Sequence, residues 1–265
     1  MRVAFDEAGQ GDTAVLLLHG IGGGSSIWGD QGSGTLQALA RAGFRALSLD
    51  LPGYGDSAHL GPPDMDAFVA AVTAVIDRAA PRRTVLVGHS MGGMVAQELA
   101  ARTPQRVQGL VLACTSAMFG KADGAWQQQF LAQRLAPLDA GLGMAGMADA
   151  LVPGLVSPAA PAAAWRSARE VMARVPESTY RAALTAIAGF DRRAALPAIA
   201  VPTLLLAAEH DGTAPPELMQ RMAGRIAGSE YVCLADAGHI ANVEQPAAFH
   251  AALLSFLQRH FAPGF

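Results

Sequence analysis

The chain has 265 residues, of which 51% are hydrophobic and 15% charged, with a formal net charge of −3. That length buries a substantial core in one large α/β domain or two small ones, and one domain carrying an insertion is the expectation. A weakly acidic chain with no basic run, in which Lys121 is the sole lysine, lacks the electrostatic footprint of a nucleic-acid or anionic-membrane binder. Mean hydropathy is +0.27, yet no apolar run approaches the roughly 18–20 residues that span a bilayer. Much of the apolar excess is alanine, which signals helices and core. Acid at Asp6 and Glu7, with no leader-like apolar segment, predicts a cytoplasmic protein. Cys114 and Cys233 sit in apolar, strand-like runs without metal-ligand spacing and read as reduced core residues, so no metal and no cofactor are expected.

Residues 2–6 read as a short strand, followed by a turn at Gly9-Gln10-Gly11-Asp12. Ala14 to Leu18 is a buried strand that runs into His19-Gly20-Ile21-Gly22-Gly23-Gly24, a glycine loop without the Gly-Lys-Ser/Thr ending of a phosphate loop. Trp28, a helix over Leu36 to Ala42 and a strand over Arg45 to Leu49 come next. The breaker-rich loop Asp50-Leu51-Pro52-Gly53-Tyr54-Gly55-Asp56-Ser57 is expected to shape the rim of a site. Helical spacing over Asp64 to Ala80 leads to the strand Thr84 to Val87. That strand ends in Gly88-His89-Ser90-Met91-Gly92, and a helix follows from Gly93. A strand at Gly109 to Cys114 closes the first series. From Ala117 to about Phe190 the alternation of strand and helix stops. Helical patches (Trp126 to Leu135, Trp165 to Val175, Tyr180 to Ile187) lie there among breakers at Pro137, Pro153, Pro158, Pro161 and Pro176, which predicts a helical insertion. The series resumes with a strand over Pro202 to Ala208, a helix over Pro216 to Ala227, a strand over Tyr231 to Leu234, and a last helix over Pro246 to Phe261.

Strands that alternate with helices predict a parallel sheet, because each parallel pair needs a crossover and the crossovers cover both faces. Sites in such sheets form at the carboxyl ends of strands, where His19, Ser90, Thr115, Asp211 and His239 all fall. Ser90 occupies the apex of a turn tight enough that its neighbours at Gly88 and Gly92 must lack a β-carbon. A serine hydroxyl needs an imidazole in contact to act as a nucleophile, and the imidazole in turn needs an orienting carboxylate. Of the seven histidines, His239 follows a strand, stands beside Gly238 and comes last in the chain. His89, adjacent to Ser90, is expected to point away from it, His19 to brace its own loop, and His59, His250 and His260 to be structural. For the acid, Asp211 lies in a turn directly beyond a strand, with Glu209 and Asp236 as competitors. The backbone N–H groups of Ile21 and Met91 are candidates for an oxyanion hole.

Together these motifs resemble the α/β-hydrolases. The resemblance rests on Gly-His-Ser-Met-Gly-Gly-Met-Val-Ala-Gln-Glu, the His-Gly loop with Trp28, Asp50 to Ser57, Asp211, and Gly238-His239-x-x-Asn242-x-Glu244-Gln245-Pro246. It implies an α/β-hydrolase fold with a mostly parallel twisted sheet of seven or eight strands. It further implies a core of residues 1–116 and 191–265, a helical cap of residues 117–190, a triad of Ser90, Asp211 and His239, and oxyanion donors at Ile21 and Met91. The chain looks most like the 3-oxoadipate enol-lactonase and carboxylesterase branch, with two departures. The first strand usual in the family is missing or reduced. Enol-lactonases also place an arginine, suited to a substrate carboxylate, three residues after a cap tryptophan, whereas Trp126 is followed by Gln127-Gln128-Gln129. Arg134, one turn further, is the candidate substitute. Trp28, Met118, Trp126, Phe130 and Arg134 are the expected pocket residues. The expected partner is a small ester or lactone, with the chain a monomer or homodimer. Carbon–carbon bond hydrolysis, perhydrolysis and a receptor-like binding role remain the alternatives.

Overall fold

The computed structural model describes residues 2–58, 61–119 and 124–262; His59 lies outside them, as does the side chain of Trp126. Among the described residues, seven strands form one sheet: β1 (Phe5–Ala8), β2 (Thr13–Leu18), β3 (Arg45–Leu49), β4 (Arg83–His89), β5 (Gly109–Ala113), β6 (Thr203–Ala208) and β7 (Glu230–Leu234), in the order β1-β3-β2-β4-β5-β6-β7. Only β1 is antiparallel, pairing Phe5 with Leu49 of β3. Every other neighbouring pair is parallel. The short β1 lies at the sheet edge, shifted toward the turn from the expected residues 2–6. Every residue of β2, β5 and β6 is buried, which explains why these segments read as continuous aliphatic runs rather than alternating ones.

The core helices are α1 (Thr35–Arg41), α2 (Met65–Ala79) and α3 (Met91–Arg102), then α8 (Pro216–Ala223), α9 (Ala241–Glu244) and α10 (Pro246–Phe261). In α2, Phe68, Val69, Val72, Val75 and Ile76 are buried along one stripe, each worth about 1.5–3 kcal/mol when fully removed from water. The Asp64 carboxylate caps that helix by accepting from Ala67 N–H at 2.8 Å. Helix α3 packs on β4 and β5, and α8 on β6 and β7. Cys114 is buried, but Cys233 is exposed on the edge strand β7, contrary to its expected place in the core. An edge strand keeps only part of its surface under cover, so an apolar run there does not imply burial.

Between β5 and β6 lie α4 (Ala125–Asp139), α5 (Gly143–Leu151), α6 (Ala162–Ala173) and α7 (Glu177–Ala188). The ends of this stretch meet in an antiparallel bridge between Met118 and Asp191, flanked by Phe119 N–H to Phe190 O at 2.9 Å and Arg192 N–H to Ala117 O at 2.7 Å. Glu98 of α3, only 1% exposed, accepts from both Arg102 and Arg192 at 2.5 Å and so fastens the returning segment to the core. Two details depart from the sequence reading. Pro137 lies inside α4 near its end and does not break it. Helix α5 was not expected because its glycines lower helix propensity; burial of Met144, Met147 and Ala148 overrides that preference.

Candidate active site

Strand β4 ends at His89, α3 begins at Met91, and Ser90 between them has φ 53° and ψ −118°. A non-glycine residue at positive φ is costly and persists only when its surroundings hold it. Here the Ser90 N–H donates to Ala113 O at 2.9 Å, and the Ser90 carbonyl accepts from Gly93 N–H, Met94 N–H and the Thr115 hydroxyl. The flanking glycines have no alternative. A β-carbon on Gly88 would lie 2.4 Å from Gly92 O, and one on Gly92 would lie 2.3 Å from Leu18 O.

His239 comes from the loop after β7. Its Nε2 lies 3.0 Å from Ser90 Oγ, and its Nδ1 lies 2.8 Å from Asp211 Oδ2. The other carboxylate oxygen of Asp211 accepts from Thr213 N–H at 2.8 Å and Ala214 N–H at 2.9 Å. Burial opposes ionisation of Asp211, but His239 and these two backbone donors outweigh it and hold the carboxyl down at about 2. An ionised Asp211 takes the proton on Nδ1 as a hydrogen bond, which leaves Nε2 free to accept from the Ser90 hydroxyl. The loop is shaped for this. A β-carbon on Gly238 would lie 2.6 Å from Ser157 N, and the buried Glu244 carboxylate accepts from both Gly238 N–H and Ser157 N–H. The competing acids lie elsewhere: Glu209 is exposed and accepts from Asp236 N–H. With His210 these two form an exposed trio whose ligand atoms lie within 4.8 Å of one another, away from Ser90's cavity.

Ser90 and His239 open onto a cavity of about 480 Å³. Three of the expected pocket residues, Met118, Phe130 and Arg134, line it, as does Ile21. Met91 is buried at the first position of α3. Trp28 does not line the cavity. The short 3₁₀ turn Ser25–Trp28 turns its ring into the core, 6.5 Å from the His89 ring and 6.1 Å from Phe249. The Asp50 to Ser57 loop is likewise absent from the rim of this cavity and acts from beneath. Tyr54 O–H donates to Ile21 O at 2.9 Å, and Leu51 N–H donates to His19 Nε2 at 3.1 Å. His19 also donates from Nδ1 to Gly20 O, so it braces its own loop as expected. His250 bonds Thr35 and His260 bonds Glu230, both remote from Ser90's cavity.

The sequence reading missed several lining residues. Met172 of α6 and Tyr180 and Leu184 of α7 reach the cavity from the helical stretch, and His89 reaches it from the turn itself. The guanidinium of Arg134 stacks over the Phe130 ring at 4.9 Å and lies beside the Tyr180 hydroxyl. It is the one arginine or lysine among the described lining residues. Burial raises the Tyr180 phenol pKa while Arg134 pulls it back.

The family described as alpha/beta hydrolase fold matches residues 13–246, and the chain belongs to it. It is an α/β-hydrolase enzyme related to the enol-lactonase and esterase branch. A protein of Variovorax paradoxus named "Putative carbamate hydrolase RutD" is 37% identical, with 100% of this chain and 99% of the relative covered. The crystal structure of the enol-lactonase from Burkholderia xenovorans LB400 is 28% identical, covers 97% of this chain and 96% of its own, and has a TM-score of 0.84. A thermophilic esterase from Thermogutta terrifontis, solved with malate bound, is 29% identical, covers 97% and 94%, and also has a TM-score of 0.84.

Proposed function

We propose that the protein hydrolyses carboxylic esters or lactones through an acyl-enzyme on Ser90. The observation that carries this reading is the continuous line of hydrogen bonds from Ser90 Oγ through His239 to Asp211, opening onto a largely apolar cavity. Ser90 Oγ attacks the carbonyl carbon while His239 Nε2 takes its proton, and Asp211 stabilises the imidazolium that forms. The N–H groups of Ile21 and Met91 receive the developing oxyanion, each worth about 3–4 kcal/mol to the transition state by analogy with other hydrolases. His239 then returns the proton to the leaving alkoxide, and water, deprotonated by the same imidazole, releases the acid. Residues 117–190 act as a cap over a core of residues 1–116 and 191–265. The substrate is a small molecule and the proposed compartment is the cytoplasm. No helix among the described residues is long and apolar enough to cross a membrane.

A second reading has its own observation. Arg134, set beside Tyr180 on an otherwise apolar wall, suits a lactone or ester whose far end carries a carboxylate. The relative named as a carbamate hydrolase adds a third acyl class that the same attack would cleave. The test compares kcat/KM for a neutral short-chain nitrophenyl ester, a nitrophenyl carbamate and a carboxylate-bearing enol-lactone of similar size, with Ser90→Ala as the blank. Multiple turnovers that vanish in Ser90→Ala support the hydrolase reading; a single stoichiometric burst without turnover would point to a binding role instead. A preference of a hundredfold or more for the lactone selects the carboxylate reading, and a preference for the neutral ester removes it.

A further inference from the structure

His89 stands next to Ser90 in sequence and has no part in the Ser90, His239, Asp211 line, yet its environment is as fully specified as theirs. Its ring is buried, with Nε2 2.7 Å from the backbone carbonyl of His239, a residue 150 positions later. A carbonyl only accepts, so Nε2 carries the proton and donates. The two imidazole rings lie 5.1 Å apart at 52°, and the Trp28 ring stands edge-on to His89 from the opposite element at 6.5 Å. The remaining nitrogen, Nδ1, is covered by the glycine loop: a β-carbon on Gly20 would lie 3.0 Å from it. A β-carbon at Gly20 would press on both the His89 ring and Ser90 Cβ, which lies 3.2 Å from that position. The charged and titratable groups that face His89 are His239 and Asp211 from the far end of the sheet and His19 from the loop after β2. Burial, reinforced by His239, pushes the His89 pKa down to about 4, so the ring is neutral at neutral pH.

Ser90 and His239 sit on separate loops, and the reaction needs their side chains held at hydrogen-bond distance. The Ser90 hydroxyl and the His239 imidazole contribute one link at 3.0 Å, which proton transfer itself disrupts. The link from His89 to the His239 main chain survives every step, because neither partner exchanges a proton.

We propose that His89 is a positioning residue: from the position before the nucleophile, it holds the main chain of the general base so that the serine turn and the His239 loop move as one body. The proposal rests on the reading of Ser90 and His239 as nucleophile and base. Trp28 serves the same purpose from behind, as the wall that keeps the His89 ring in place.

The test compares steady-state kinetics of wild type, His89→Leu, His89→Gln and His89→Asn on one nitrophenyl ester, with thermal melts to identify folded variants. Leucine fills the space without a donor. Glutamine carries an N–H to about the reach of Nε2, and asparagine is too short to do so. Loss of alignment at the reacting atoms is expected to lower kcat of His89→Leu by about tenfold to a hundredfold, with KM within about twofold. His89→Gln is expected to recover most of that loss and His89→Asn little of it, a pattern that serves equally if the leucine variant does not fold. Equal rates for the glutamine and asparagine variants, or a loss carried by KM alone, would overturn the proposal. Ser90→Ala, measured in parallel, separates the two levels. If it retains turnover, the nucleophile assignment has failed, whereas a dead Ser90→Ala beside an unimpaired His89→Asn removes only the role of His89.

Discussion

The floor and the roof of the cavity are built on different principles. On the floor, Ser90, His239, Asp211, His89 and His19 at the strand ends, and Glu244 at the end of α9, are each held by buried or part-buried hydrogen bonds, many of them to the backbone. Glycine is required there because main chain passes within contact distance of main chain. The roof, from α4 to α7, offers Phe130, Met172, Leu184 and Ile187, with Arg134 and Tyr180 as its polar contribution. Several of its glycines, Gly141, Gly143 and Gly154 among them, face open space. On the proposed reading, a floor fixed by backbone geometry tolerates little change and would define the chemistry, whereas a roof built largely of side-chain volume would set which substrate fits.

Three perturbations test that contrast, from the largest effect to the smallest. Asp211→Asn removes the charge that fixes the His239 tautomer, and kcat is expected to fall about 10³- to 10⁴-fold with little change in melting temperature. An asparagine variant within tenfold of wild type would mean that Glu209 or Asp236 supplies the acid after all. Next, replacing glycine should be costly where main chain packs against it on the floor and neutral at Gly154 on the roof, which has open space and no positive φ. Gly92→Ala places a β-carbon 2.3 Å from Leu18 O, whereas Gly154 has nothing within 4 Å of the same position. Denaturant melts are expected to show a loss of several kcal/mol for Gly92→Ala and a change within about 0.5 kcal/mol for Gly154→Ala. Comparable losses at both sites would erase the distinction.

The third perturbation is pH. Unfolded, His89 takes up a proton near its ordinary 6.5, but folded it does so only near 4. Between those values the unfolded chain binds more protons, so stability is complete above about pH 7 and falls as pH drops toward 4. His89 contributes about 3 kcal/mol to that fall. His19, also lowered by burial, adds in the same direction. Asp211 acts further down: its stabilisation is present above its ordinary 3.8 and is lost as pH falls through about 2. Unfolding free energies at pH 7, 5.5 and 4 are expected to show the slope in wild type and a shallower one in His89→Gln. Parallel slopes would show that His89 titrates normally in the folded protein.

The same contrast explains what could be read from sequence. Gly88, Gly92 and Gly238 were legible because close main chain leaves no room for a side chain there, and Ser90, Asp211 and His239 because each stands in a turn or loop just beyond a strand, a placement visible without knowledge of what packs nearby. The central strands were legible for a related reason, since burial on both faces leaves a continuous aliphatic run. Trp28 was misplaced because nothing local says which way a side chain turns after a glycine loop; the tertiary pocket formed by His89 and Phe249 decides it. The role of His89 was hidden for the same reason, as its partner is a carbonyl 150 residues away. Helix α5 and the placement of Met172, Tyr180 and Leu184 depend on packing within the roof, where composition restricts sequence least.

The central claim is that Ser90 carries the acyl group. It is tested most directly by quenching the enzyme with a nitrophenyl ester before steady state and locating the adduct by peptide mass spectrometry, in wild type and Ser90→Ala. The account predicts one acyl group per chain on the peptide containing Ser90, formed at the rate of the nitrophenol burst and absent from a folded Ser90→Ala. An adduct on another residue, or undiminished turnover by Ser90→Ala, would contradict it.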